Sequence, residues 1–352
     1  MKKTTFLFLL ICTPYIVISQ VSNVVTGLNG PFDVVIQGSD AYVAEFTGNA
    51  ILRVDLTATN PTAEDVITGI NGPTSLLFDG DDVYISQVGG TITRRDASDL
   101  TSNQITIATG LVTPVSMIRI DNDLYFSEFQ GGRIGRVDLT TGTVSTVING
   151  LNFPEQIVLI GDELFIAHAG ANRVSKFNVT DANPTLEDVV TGLDNPAGIH
   201  AVGTTLLVTE FANNGAVFRI DTLEATPTAI AIVNGQNNPF GVSFFDNDLY
   251  FIQNGAGTLS RFQGDILAVE DVSVLNDILV FPNPSQGQFS IAGLEGQTIN
   301  HVQLTDVTGR VIKRFNTQEI SQNTFDHQLA SGSYFVTIQT EIGRVTKQMI
   351  IQ

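Results

Sequence analysis

The chain has 352 residues and a formal net charge of −19, with 36 acidic against 17 basic residues. Such a surplus repels phosphate backbones and anionic lipid heads, which argues against nucleic acid and membrane surfaces; it favours cations or neutral, sugar-like partners, or simply serves solubility outside the cell. The acidity is local: residues 20–274 carry thirty Asp and Glu against ten Lys and Arg, residues 275–352 six against five.

The N-terminus reads as a secretory signal peptide over residues 1–19. Lys2 and Lys3 lead into an apolar stretch from Phe6 to Ile18, and Val17-Ile18-Ser19 precedes a cleavage point before Gln20. That apolar core is shorter than the roughly 20 residues a spanning helix needs, and no later stretch approaches that length, so no transmembrane segment is expected after cleavage. The single cysteine, Cys12, lies inside the signal. Bulky Ile11 stands before it where a lipid-anchor signal needs a small residue. The mature chain is thus expected to be free of cysteine and held by burial rather than by disulfides.

Beyond the signal, a proline recurs at Pro31, Pro73, Pro114, Pro154, Pro196 and Pro239, each shortly after a Thr-Gly or Asn-Gly pair. A period near forty marks stacked supersecondary units. Within one unit, VSMIRI, LYFSEF, RIGRVDL and TVSTVI follow Pro114, separated by DND, QGG and TTG, which reads as four short strands joined by turns. Asp121-Asn122-Asp123 and Asp79-Gly80-Asp81-Asp82 are expected as structural turns, because the spacing and closing Glu of a calcium loop are missing. The fold expected is all-β: a six-bladed β-propeller over residues 21–264, a linker over 265–276, and a small antiparallel β-sandwich over 277–352. The sixth repeat supplies three strands, and Ser22-Asn23-Val24-Val25 matches the missing fourth, so the two ends are expected to close the ring.

Basic residues recur near position 22 after the proline, at Arg53, Arg95, Arg136, Lys176, Arg219 and Arg261, and are expected to form ion pairs between blades. Fourteen residues after each proline stands Glu45, Gln87, Glu128, His168, Glu210 or Gln253. These six polar side chains end the second strand and are expected to encircle the axis on the face where the proline loops open. Three carboxylates, Glu45, Glu128 and Glu210, would repel one another there unless hydrogen-bond donors or a cation such as Ca²⁺ or Mg²⁺ compensated, with His168 beside such a cation as a base or ligand. Near the same rim lie Asp33, Ser75, Ser116, Glu155 and Gln156, and His200 in an innermost strand is a second candidate catalytic histidine. The competing reading is that each polar side chain of the ring bonds backbone amides of the next blade. Asn178-Val179-Thr180 fits a glycosylation sequon.

Stretches such as LYFSEFQGGRIGRVDLTTG at 124–142 resemble propeller repeats of the NHL, streptogramin-lyase and senescence-marker/gluconolactonase groups. That resemblance implies a divalent metal at one end of the channel. The tail carries PNP at Pro282 to Pro284, a DxxGR turn at Asp306 to Arg310, GSYFV and a final KQMIIQ. It is similar to the type A C-terminal sorting domain of the type IX, or Por, secretion system of Bacteroidota. What this implies is export to the outer surface or medium, with residues 277–352 engaging the secretion machinery.

Two functions follow as expectations. One is an exported binding module whose propeller face takes a glycan, a peptide or a small molecule. The other is a divalent-metal-dependent hydrolase or lyase, lactonase-like, in which the cation polarises a carbonyl oxygen and His168 or His200 moves protons.

Overall fold

The computed structural model describes residues 20–264, 266, 278–293, 299–306, 311–315, 320, 323–340 and 344–352. The expected signal peptide with Cys12, most of the expected linker, and residues 307–310 of the DxxGR turn lie outside them. The chain divides into two compact units after Ile266.

The first unit is the six-bladed propeller. Each blade is a four-stranded antiparallel sheet, as in blade one with Pro31–Gln37, Asp40–Glu45, Ala50–Asp55 and Ala63–Thr68 in that order. Blades two to six begin at Pro73, Pro114, Pro154, Pro196 and Pro239. The last blade gains its outer strand from the other end of the chain: Gln20–Thr26 pairs antiparallel with Thr258–Gln263, matching Gln20 to Gln263 and Thr26 to Thr258. The inner strands neighbour one another in order and the sixth returns to the first.

Six apolar cores separate the six blades. Leu76, Val83 and Ile85 of blade two meet Ala44 and Ile51 of blade one, and Val34 and Val43 of blade one meet Phe240 and Ile252 of blade six. Burying both faces of every sheet in this way makes a closed ring without disulfides.

Each inner strand opens with a break in register just after its proline, for example between Pro31 and Asp33 or between Pro154 and Ile157. Such a bulge re-aims the residues beside it. The residue before every one of these prolines has positive φ: Gly30, Gly72, Thr113, Phe153, Asn195 and Asn238.

The hairpin turns behave as the sequence leads one to expect, with Asp121 at φ 53° and Gly80 at φ 59°. The third strands end in a side-chain turn. Asp55 and Asp96 accept the hydroxyl and the N–H of Thr57 and Ser98, and Asp138 accepts the N–H of Thr141 and of Thr140, which holds their carboxyls below the usual range. Asn178 of the sequon does the same for Thr180, through both its N–H and its hydroxyl.

The expected ion pairs between blades are corrected. Arg53, Arg136, Lys176 and Arg261 pair within their own blade with Asp40, Asp123, Glu163 and Asp248. The cause is register: Arg136 lies opposite Tyr125, so Asp123 is its diagonal neighbour on the same sheet face. In blade two Arg94, opposite Tyr84, takes this role with Asp82. Arg119 of blade three does reach Asp79 of blade two.

The second unit is the antiparallel sandwich. A three-stranded sheet of Leu279–Phe281, Gln288–Ala292 and Phe325–Asp326 and a four-stranded sheet of Val311–Arg314, Ile299–Asp306, Gly332–Thr340 and Arg344–Ile351 share one core. Phe289, Phe315 and Phe325 pack ring to ring within it. The PNP asparagine works as a surrogate strand. The Asn283 side chain donates to Gln348 O and accepts from Ile350 N–H, and Ser285 continues the pairing against Ile350 and Gln352.

Candidate binding face

The six polar residues fourteen positions past the prolines do stand at equivalent places, but they turn to their own blade. Register explains this. Glu45 lies opposite Pro31, so its side chain sits over the loop that leads into that proline. Glu45 Oε1 accepts Asn29 N–H at 2.6 Å, Glu128 Oε1 accepts Val112 N–H at 3.1 Å, Glu210 Oε1 accepts Asp194 N–H at 2.7 Å, and Gln253 Oε1 accepts Asn237 N–H at 3.1 Å. Each acceptor thus tethers the leading loop of its own blade, not an amide of the next. Burial pushes the carboxyls of Glu45 and Glu210 up, partly offset by these bonds.

Glu128 is further held by Arg133, whose Nε and Nη2 reach its two oxygens at 2.6 and 2.9 Å. Gln87 donates to Thr93, and His168 Nε2 bonds Ser175 Oγ at 2.6 Å. The three glutamates therefore do not meet as a metal-ligand set. Among the described residues no group of three or more His, Cys, Asp or Glu side chains is placed to hold a metal ion.

What does converge lies one and two residues past the prolines. Gln156 of blade four donates from Nε2 to Asp33 Oδ1 of blade one at 2.6 Å. Blades one and four stand opposite each other in the ring, so this bond spans the axis and bridges the channel at that level. Gln156 Oε1 in turn accepts Ile199 N–H of blade five at 3.1 Å, and Asp33 also bonds Ser75 and the Leu76 N–H of blade two. Ser116 accepts Ile157 N–H of blade four at 3.2 Å. A belt of buried polar side chains thus links the inner strands. Burial raises the Asp33 carboxyl against the pull of its four partners. Glu155, beside Gln156, is 6 % exposed, and its Oε2 has no hydrogen-bond partner. Desolvation raises it well above the ordinary carboxylate range.

Around this axis the same face carries phenylalanines. Phe46, Phe32, Phe240 and Phe211 form a chain across blades one, six and five, with centroids 5.7, 3.9 and 5.5 Å apart in turn. Phe129 and Phe153 stack across blades three and four at 4.8 Å. Phe153 differs from the rest. It is 44 % exposed and sits at φ 48°, in the left-handed region, where the other blades place Gly, Thr or Asn. A bulky side chain there is strained, and strain of that kind collects at functional positions.

The histidines take quieter places. His168 is fully buried within its blade, and burial followed by the Arg173 charge lowers its imidazole to about 4. His200 is half-buried in the inner strand of blade five and is lowered to about 4 by burial. Both are neutral at physiological pH. Sequence reasoning missed the Asp33–Gln156 bridge and Phe153. The signal for Phe153 was available: Gly and Asn before four of the six prolines announce a left-handed position.

Comparisons with known proteins agree with both units. Residues 279–352 match the family described as Secretion system C-terminal sorting domain. A search of curated proteins finds no match. Among solved structures the chain is similar to an auxiliary nutrient binding protein from Bacteroides ovatus, with 12 % identity, 68 % of this chain and 70 % of that one covered, and a TM-score of 0.57. It is also similar to virginiamycin B lyase from Staphylococcus aureus, with 16 % identity, coverage of 94 % and 98 %, and a TM-score of 0.51. A luciferin-regenerating enzyme matches with 10 % identity, coverage of 70 % and 95 %, and a TM-score of 0.57. At these identities the likeness carries the propeller fold alone. Among the described residues no helix is long and apolar enough to cross a membrane. The chain is thus a β-propeller bearing a type IX sorting domain, exported to the outer cell surface or beyond it.

Proposed function

We propose that the exported propeller is a binding module whose ligand lies on the proline face, against the Phe129–Phe153 pair and beside the polar axis. The ligand class is a neutral saccharide. The observation that carries this reading is Phe153, an aromatic ring kept exposed in a backbone conformation that costs of order 1–3 kcal/mol. An exposed aromatic face, negative at its centre, suits the weakly positive C–H face of a sugar ring. Gln130 and Asn152, both exposed and next to the two rings in sequence, supply hydrogen-bonding groups for hydroxyls. The acidic propeller disfavours anionic glycans. The nutrient-binding name of one fold neighbour is consistent with binding, but the rim carries the reading.

The hydrolase or lyase reading has less support, because Glu45, Glu128 and Glu210 each tether a loop and His168 is bonded to Ser175 inside its blade.

The test is calorimetry of the full exported chain against neutral hexasaccharides of glucose and xylose, with polygalacturonate as the anionic control. Binding of a neutral oligomer, weakened about tenfold by Phe153→Asn and by Phe129→Ala, is expected. Equal affinity in both variants, or preference for the anionic polymer, would remove the reading.

A further inference from the structure

The carboxylate fourteen residues past the proline meets different surroundings in blades three and five. In blade three, Glu128 is 1 % exposed and is clasped by Arg133, five residues on. In blade five the turn after Glu210 is one residue longer: Thr209 lies opposite Val217 as Ser127 lies opposite Ile134, so the counterpart of Arg133 is Ala216, and no basic side chain pairs with Glu210 among the described residues.

A cleft of about 560 Å³ opens beside Glu210 between blades four and five. Glu210 lines it together with Val190, Leu193 and Phe218 on the apolar side and Pro227 and Thr228 of the long blade-five loop. Asp188 also lines it, but its charge is taken by Arg173 at 3.0 Å. One wall is the strand Glu187–Thr191, the last in the order of its sheet, which leaves alternate backbone groups on its outer edge unpaired.

We propose that this cleft binds an arginine side chain of an extended peptide. The guanidinium takes on Glu210 the place that Arg133 takes on Glu128. The alkyl stem lies along Val190, Leu193 and Phe218, and the peptide backbone pairs with the open edge of Glu187–Thr191. Three features choose this occupant. The carboxylate lacks the cation that Glu128 has; Val190, Leu193 and Phe218 give the open cleft an apolar side along which a long stem can lie; and another side is a strand edge, which recognises main chain and not a free amine. Burial raises the Glu210 carboxyl, as expected for a group waiting without a counter-charge.

The site is distinct from the Phe129–Phe153 pair, so saccharide binding and peptide binding fail independently. The test is calorimetry of the full exported chain with Ac-Ala-Arg-Ala-NH2, with the same peptide carrying citrulline, and with agmatine. Glu210→Gln keeps the oxygen that accepts Asp194 N–H and so preserves the loop, and Thr228→Trp fills the cleft from an exposed position. The arginine peptide is expected to bind, and the citrulline peptide, agmatine, Glu210→Gln and Thr228→Trp each to weaken binding about tenfold or more. Arginine and citrulline peptides binding alike, no loss in Glu210→Gln, or no binding at about 10 mM peptide would overturn the proposal. Agmatine binding as tightly as the peptide would overturn the role of the strand edge.

Discussion

Blades one to four and blades five and six solve the same contact at the axis by different means. Two residues past the proline, blades one to four carry Asp33, Ser75, Ser116 and Gln156, and three of these side chains accept an N–H from the inner strand of the next blade. Blades five and six carry Gly198 and Gly241, and the next backbone lies directly against them. A Cβ on Gly198 would stand 2.2 Å from Phe240 O, and one on Gly241 2.6 Å from Asp33 Cα. The difference teaches that the ring is not uniformly spaced around its axis: one arc is held by side-chain bridges, the other by close backbone approach, and only the bridged arc reaches across the channel.

The largest effect is expected from breaking the close arc. Gly198→Ala should destabilise the propeller by about 3 kcal/mol, because backbone cannot yield as a flexible side chain can. Ser116→Ala in the bridged arc should cost only about 1 kcal/mol, one hydrogen bond to a buried N–H. Thermal unfolding of both variants checks the order, and equal losses would mean that the two arcs are not different in kind.

A smaller effect of opposite sign is expected at Glu155. Its folded pKa is raised above the unfolded value, so the stability it contributes as a neutral acid is full below about pH 4.3 and is lost as pH rises through the folded value. Glu155→Gln, which stays neutral, should therefore stabilise the chain by about 1–2 kcal/mol at pH 8 and change little at pH 4. Denaturant melts at the two pH values read this directly. Destabilisation at pH 8 would show that the carboxylate has a partner.

Much of this was legible in the sequence, for identifiable reasons. The prolines mark the first strand of each blade because a bulge and a left-handed residue recur around them, and Ser22 to Val25 fitted the sixth blade because strand pattern survives a break in the chain. The acidic ring was legible as six equivalent positions but not as contacts. The partner of Glu45 depends on its pairing with Pro31, which places Asn29 beneath it, and register is not visible from spacing alone. The bridge from Asp33 to Gln156 joins residues 123 apart in the chain, and only closure of the ring brings them together. The cleft at Glu210 depends on the loop before Ile230, whose course no periodicity describes.

The central claim is that ligand occupies the proline face beside a bridged axis. Hydrogen exchange of the full exported chain, with and without a bound neutral oligosaccharide, tests it most directly. Added protection is expected at residues 128–131 and 151–155. Protection confined to the opposite-face turns around Asp121 and Gly161 would contradict it.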